Sequence, residues 1–178
     1  GPSTITTRLP SGASLVLAQE TDYPIGPRVS LKVSPARSAR FALKLRIPHW
    51  SRATRVKVNG KPIDGVAGGS YLTLDRTWKR GDTVELEFDF SFHYWVGERE
   101  SAGKTSVYRG PLLLTYDRRF NTMDPDEVPS LDAATSRGRI VPSAHWLPPL
   151  LLLEFTATDG RTLRLCDFGS AGVGGSPY

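Results

Sequence analysis

The sequence of 178 residues contains one cysteine, one methionine and three histidines, and its longest uninterrupted apolar stretch, Trp146 to Leu153, has eight residues. A lone Cys166 excludes an internal disulfide and any site built from several thiolates, although it leaves the redox compartment open. His49, His93 and His145 have no second His or Cys two to five residues away, so the sequence carries no compact zinc motif, and no metal or cofactor is expected. The apolar runs fall well short of the eighteen or more residues of a membrane helix, so no membrane partner is read. No window of eleven or more residues shows a helical stripe. The nucleophile elbow, the phosphate-binding and dinucleotide-binding glycine loops and the calcium loop are missing as well, and Gly169 to Gly175 reads as a glycine-rich tail.

What is present suits a folded β protein. Residues of the hydrophobic set make up 39% of the chain, which argues against wholesale disorder and is enough for one sizeable core. The formal net charge is +5, with 17 Arg and 6 Lys scattered rather than blocked. The richest clusters, Arg37/Arg40 and Arg52/Arg55/Lys57, fall among strand and turn signals, as a solvated sheet face would place them, so no nucleic-acid partner is expected. Gly1-Pro2-Ser3 reads as the remnant of a cleaved tag, leaving residues 4–178 as one domain.

Phe41, Leu43, Leu45 and Ile47 alternate with Ala42, Lys44 and Arg46, which is the period of a half-buried strand, and Pro48 should end it. Val56 and Val58 run into Asn59-Gly60, a pair suited to the positive φ of a tight hairpin turn, with Lys61 to Ile63 as the return. Similar runs at 15–17, 29–33, 71–74, 84–90, 105–108, 112–116, 150–156 and 162–166 are separated by Gly, Pro and Asp punctuation every 8 to 12 residues. The prediction is an all-β fold, an antiparallel β-sandwich of about ten strands. Residues 121–149, rich in Asp, Pro, Ser and Arg, form a long irregular insertion, either a rim or a segment that packs against other protein.

Catalytic chemistry has little to build on. A glycosidase commonly needs two carboxyl groups, one to protonate the leaving oxygen and one to attack or activate water. Glu98 and Glu100, or Asp124, Asp126 and Glu127, are the available candidates, all in loop-like surroundings where carboxylates are usually solvated. Strand alternation buries Cys166 as a small hydrophobe. Aromatic residues are the better lead, because sugar rings stack on Trp and Tyr faces while neighbouring polar groups bind hydroxyls. Trp50, Tyr94 and Trp95 are the candidate carbohydrate-binding residues; Trp78 reads as core edge, and Trp146 is a further candidate.

Read in order, Tyr23-Pro24, the run Phe41-Ala-Leu-Lys-Leu-Arg-Ile-Pro-His-Trp50, Val56-Lys-Val-Asn-Gly60, Gly69-Ser-Tyr-Leu-Thr-Leu-Asp-Arg-Thr-Trp78, Gly81-Asp82 and Tyr108-Arg-Gly-Pro-Leu-Leu113 resemble the region behind the catalytic barrel in glycoside hydrolase family 127, the β-L-arabinofuranosidase-like proteins. Leu165-Cys-Asp-Phe-Gly-Ser-Ala-Gly172 is similar to that family's late segment. The resemblance implies a parent in which an (α/α)₆ barrel carries hydrolysis with a glutamate and zinc-bound cysteines. No residue here matches that apparatus, so no catalytic residue is carried over. The chain is expected to be a non-catalytic accessory domain whose partner is the barrel of the same parent chain. Carbohydrate binding through exposed aromatics is the alternative, and hydrolysis by a loop carboxylate pair a more distant one.

Overall fold

Alternation at residues 41–47 builds a strand with one apolar side, and the chain repeats that device until two six-stranded sheets and one two-stranded sheet exist. The computed structural model describes residues 1–178: fourteen strands, three single-turn 3-10 helices, and only antiparallel ladders. The fold is all-β, as the punctuation predicts. Its ladders close within two compact units, residues 1–90 and 91–178, so the span read from the sequence as one sandwich is described as two bodies.

In residues 1–90, β1 (Ser3–Arg8), β2 (Ser14–Thr21), β3 (Arg28–Pro35), β5 (Arg55–Val58), β6 (Lys61–Ile63) and β8 (Asp82–Glu87) form a sheet in the order β1-β2-β3-β8-β5-β6. The second layer is the pair β4 (Ala39–Arg46) and β7 (Tyr71–Trp78). Leu15, Val33, Val56, Val58, Val84 and Leu86 from the large sheet meet Leu45, Leu74 and Trp78 from the small one, with Ile47 beside them. Trp78 is fully buried, and its indole N–H donates to the Phe41 carbonyl at 3.0 Å, which satisfies the one polar atom it carries into the core. As predicted, Asn59-Gly60 makes the β5–β6 turn, with φ of 50° and 77°. Asn59 also ties that turn to β8, since its Oδ1 accepts from the Thr83 N–H at 2.8 Å and its Nδ2 donates to Asp82 at 3.0 Å.

Strand β1 is absent from the sequence reading because it has one apolar residue, Ile5, and all six of its residues are exposed. Pairing with β2 holds it, with Ile5 opposite Leu17. Ser3, read as part of a tag remnant, lies in this ladder opposite Gln19.

Residues 91–178 form one sheet from β9 (Phe92–Val96), β10 (Thr105–Arg109), β11 (Leu112–Tyr116), β12 (Arg139–Ile140), β13 (Leu152–Thr156) and β14 (Thr162–Asp167), ordered β12-β13-β14-β11-β10-β9. Leu151, Leu152 and Leu153 are all buried. Successive strand residues point to opposite faces, so both faces of this sheet are covered at the start of β13. The cover is the irregular segment itself. Tyr116 Oη donates to the Met123 carbonyl at 2.6 Å, Tyr94 Oη to the Ser136 carbonyl at 3.4 Å, and the Thr158 N–H to the Ser130 carbonyl at 3.0 Å. At Gly138 the segment runs so near the Phe155 ring that an added Cβ would fall 2.4 Å from Cζ. Apart from β12, which joins the sheet, and one 3-10 turn at Pro125–Glu127, residues 121–149 thus act as an irregular cover.

Candidate functional site

The three predicted carbohydrate-binding residues occupy different surroundings. Trp50 lies just after the proline that ends β4 and is half-buried, its ring edge-on to Phe88 at 5.8 Å and to Phe90 at 5.6 Å. Tyr23 meets the same two rings at 6.0 and 6.4 Å, so Trp50 belongs to a packed aromatic group. Tyr94 and Trp95 are adjacent in β9 and therefore project to opposite faces of their sheet. Tyr94 is half-buried beneath the irregular segment, where burial raises its phenol pKa. Trp95 is 73% exposed. It shares its face with His93, whose ring stacks on Tyr108 at 4.9 Å and 9°. Tyr94 and Trp95 do not build one platform. Trp146, 80% exposed, stacks on His145 at 6.0 Å.

Glu98, Glu100, Asp124, Asp126 and Glu127 are all exposed, and Asp124 accepts from the Asp126 N–H at 3.1 Å in an ordinary loop cap. The buried carboxylates are elsewhere. Asp117, with no exposed surface, accepts from the Arg119 guanidinium at 2.9 Å, the Gly172 N–H at 2.9 Å and the Ser176 hydroxyl at 2.8 Å. Burial alone would raise its pKa, but these donors outweigh it and hold the carboxyl at about 2. Arg119 in turn donates to the Leu147 and Ser170 carbonyls. Asp167 accepts from the Leu151 N–H and the Ser170 hydroxyl. Both carboxylates accept hydrogen bonds from their own chain, and so they fasten residues 145–151 and 167–176 to the end of β11. Burial, with Asp117 and Asp167 near it, pushes the Cys166 thiol up to about 12, the property of an inert core side chain. No three His, Cys, Asp or Glu side chains are grouped to hold a metal ion.

The functional groups that do converge were invisible as a motif. On the sheet face that carries Leu152, Glu154 and Arg164, an open cleft of about 850 Å³ is lined by Arg118, Phe120, Arg139, His145, Glu154 and Arg164 among others. Glu154 lies between two guanidinium groups, Arg139 Nη2 at 2.5 Å and Arg164 Nη2 at 2.9 Å and Nε at 3.0 Å. The hydrogen bond from Arg164, helped by Arg139, holds the Glu154 pKa below the usual carboxylate value. A second cleft, about 540 Å³, lies on the opposite side of the sheet under residues 128–131, with Val107, Leu114, Leu163 and Leu165 as apolar walls and Tyr94 at its edge. Arginines 118, 139 and 164 are spread over 47 positions, and the strand order β12-β13-β14-β11 brings them together.

Against known proteins, residues 1–90 match the family model "Beta-L-arabinofuranosidase, GH127 middle domain". That span is the first compact unit. Among solved structures, a protein described as a glycoside hydrolase superposes with a TM-score of 0.82 at 25% identity, over 97% of this chain and 32% of its own. A GH127 β-L-arabinofuranosidase from Geobacillus stearothermophilus T6 gives 0.78 at 24% identity, over 94% of this chain and 30% of its own. A further GH127 β-arabinofuranosidase gives 0.80 at 21% identity, over 98% and 32%. The likeness of these last two is one of fold. The chain spans about a third of the length of each of these proteins. No curated protein matches it.

Proposed function

The chain belongs to the GH127 β-L-arabinofuranosidase middle-domain family, and from that premise we propose that it is a non-catalytic accessory part of a glycoside hydrolase, packed in its parent against a helical catalytic barrel. The carrying observation is that nearly all of this chain corresponds to only a third of a glycoside hydrolase. The chemistry of the side chains supports the same reading. The candidate acids are solvated and the buried carboxylates bond their own chain, which supports the non-catalytic reading. Eleven large hydrophobic side chains are exposed, nine of them in residues 91–178, which makes that unit the side to be covered by other protein.

Trp146 and Leu150 are two of the nine. Trp146→Ser with Leu150→Ser should lower the melting temperature of the parent protein by about 1–2 °C while leaving that of the 178-residue chain unchanged, as expected of a lost contact worth about 1–2 kcal/mol. An unchanged parent would count against a docking role for this surface. The purified chain should hydrolyse no arabinofuranoside; turnover that disappears in Glu98→Gln or Glu100→Gln would overturn the non-catalytic reading.

Carbohydrate binding is favoured by one observation, the exposure of Trp95 beside the stacked His93–Tyr108 pair. Calorimetry against arabinan and arabinogalactan oligosaccharides should show heat that Trp95→Ala abolishes, and no heat at about millimolar sugar would remove this reading for those ligands.

A further inference from the structure

We propose that the cleft between β12–β14 and residues 118–122 and 141–145 binds a carboxylate-bearing sugar residue, a uronosyl unit, through Arg118, Arg139 and Arg164. The carboxylate half of this proposal rests on charge; the sugar half rests on the glycoside hydrolase reading above.

The charge is concentrated against the trend of its unit. Residues 91–178 hold nine Lys and Arg against ten Asp and Glu, yet four of the nine basic residues line this one cleft. Arg119 is neutralised by the Asp117 clasp. The remaining three face a single carboxylate, Glu154, which leaves the cleft with an excess of two positive charges. A guanidinium presents five N–H donors in a planar fork that suits a carboxylate. Arg164 spends Nε and one Nη on Glu154, and Arg139 spends one Nη, so each keeps donors for a second acceptor. Arg118 is exposed and has no ion-pair partner within the chain. Glu154 in this arrangement orients the two forks beside each other instead of satisfying them.

The remaining walls suit a sugar ring. Phe120 and His145 stand edge to face at 6.0 Å, and Leu152 lies at the base. His145 Nδ1 accepts from the Leu147 N–H at 3.1 Å, which leaves Nε2 as the donor of the neutral ring. Thr122 and Ser143 add hydroxyls at the rim. At about 850 Å³ the cleft is within the roughly 300–1,000 Å³ range of small-molecule sites, large enough for one or two sugar units. Wide, cationic and edged by an aromatic ring, it suits a polar anionic ligand that keeps part of its surface in water.

Titration calorimetry of the 178-residue chain tests this with three ligands: a di-galacturonate, the same disaccharide with its carboxyl groups reduced to alcohols, and inorganic phosphate. Di-galacturonate should bind, the reduced disaccharide should bind about tenfold more weakly or worse, and affinity should fall as salt rises. Arg118→Gln with Arg139→Gln should cost about tenfold or more in uronate affinity, while Arg164 keeps Glu154 paired and the melting temperature holds. Equal affinity for the reduced sugar, unchanged affinity in the double variant, or no binding at about 10 mM uronate would overturn the proposal. Phosphate binding as tight as uronate would overturn its sugar half. None of these results touches the accessory reading, which is measured on the melting temperature of the parent.

Discussion

In residues 1–90 a six-stranded sheet is covered by a second sheet, whereas in residues 91–178 a six-stranded sheet is covered by chain with almost no regular structure. The consequences run through each body. Aliphatic residues from two layers and one tryptophan close the first core, and only Ile5 and Tyr71 among its large hydrophobic side chains are exposed. The second fastens its cover with polar groups, above all the buried Asp117–Arg119 pair, and exposes nine large hydrophobic side chains. Charge divides in the same way, fourteen basic against eight acidic residues in the first and nine against ten in the second. A sheet covered by irregular chain needs many specific hydrogen bonds to hold the cover, but the cover then has free side chains with which to line clefts. Apart from Trp50, the functional candidates collect in the second body, while the first matches the family model.

If this contrast is right, the first body should be most sensitive to loss of apolar volume. Trp78→Ala deletes a fully buried ring and leaves the Phe41 carbonyl without its indole donor, so it should cost about 3–5 kcal/mol, the largest effect expected anywhere in the chain. Denaturant unfolding measures the loss, and hydrogen exchange should place it in β3, β7 and β8. A cost below about 1 kcal/mol would mean that the two layers repack and that the first core is not the specific jigsaw described.

The second body should be most sensitive to charge. Asp117→Asn keeps the shape but leaves Arg119 buried beside a neutral group, and about 3 kcal/mol should be lost. Acid should have a related effect. The carboxyl titrates at about 2 in the folded chain against an ordinary 3.8, so its contribution is complete above about pH 4 and disappears as pH falls toward 2. The shift corresponds to about 2 kcal/mol, and Asp117→Asn should flatten the dependence of stability on pH across that window. An unaltered acid limb in the variant would assign the acid sensitivity to other carboxylates.

The two bodies also differ in how far the sequence discloses them. In residues 1–90, alternation at 41–47, the Asn59-Gly60 pair and the Pro48 stop each correspond to a local physical cause, and they reappear as β4, the β5–β6 turn and the strand end. Strand β1 escapes because a mostly polar edge strand has no period to read. In residues 91–178 alternation reveals β10, β11 and β14, but β9 is masked by its continuous Phe-His-Tyr-Trp-Val run and β12 is only two residues long. The clasp and the cleft are less legible still. Asp117 and Arg119 are two apart, as many exposed pairs are, and nothing local says that Gly172 and Ser176 will return to bury them. Tyr94 and Trp95 show how adjacency in sequence becomes separation in the fold, since strand geometry divides them between two faces.

Cys166 offers the finest test of the contrast, because it is fully buried in the second body. With no exposed area and a pKa of about 12, the thiol should be unreactive toward an alkylating reagent at pH 8, where an ordinary cysteine is partly thiolate. Labelling then requires opening of the second body, and its rate measures how often the cover lifts. Asp117→Asn should raise that rate by about a hundredfold, which is what a loss of about 3 kcal/mol implies when opening and closing are fast relative to labelling. If instead the wild-type thiol reacts as quickly as a free cysteine, the hydrogen bonds from Tyr116, Arg119 and Asn121 do not keep the cover closed, and the second body is a sheet with one face open to water.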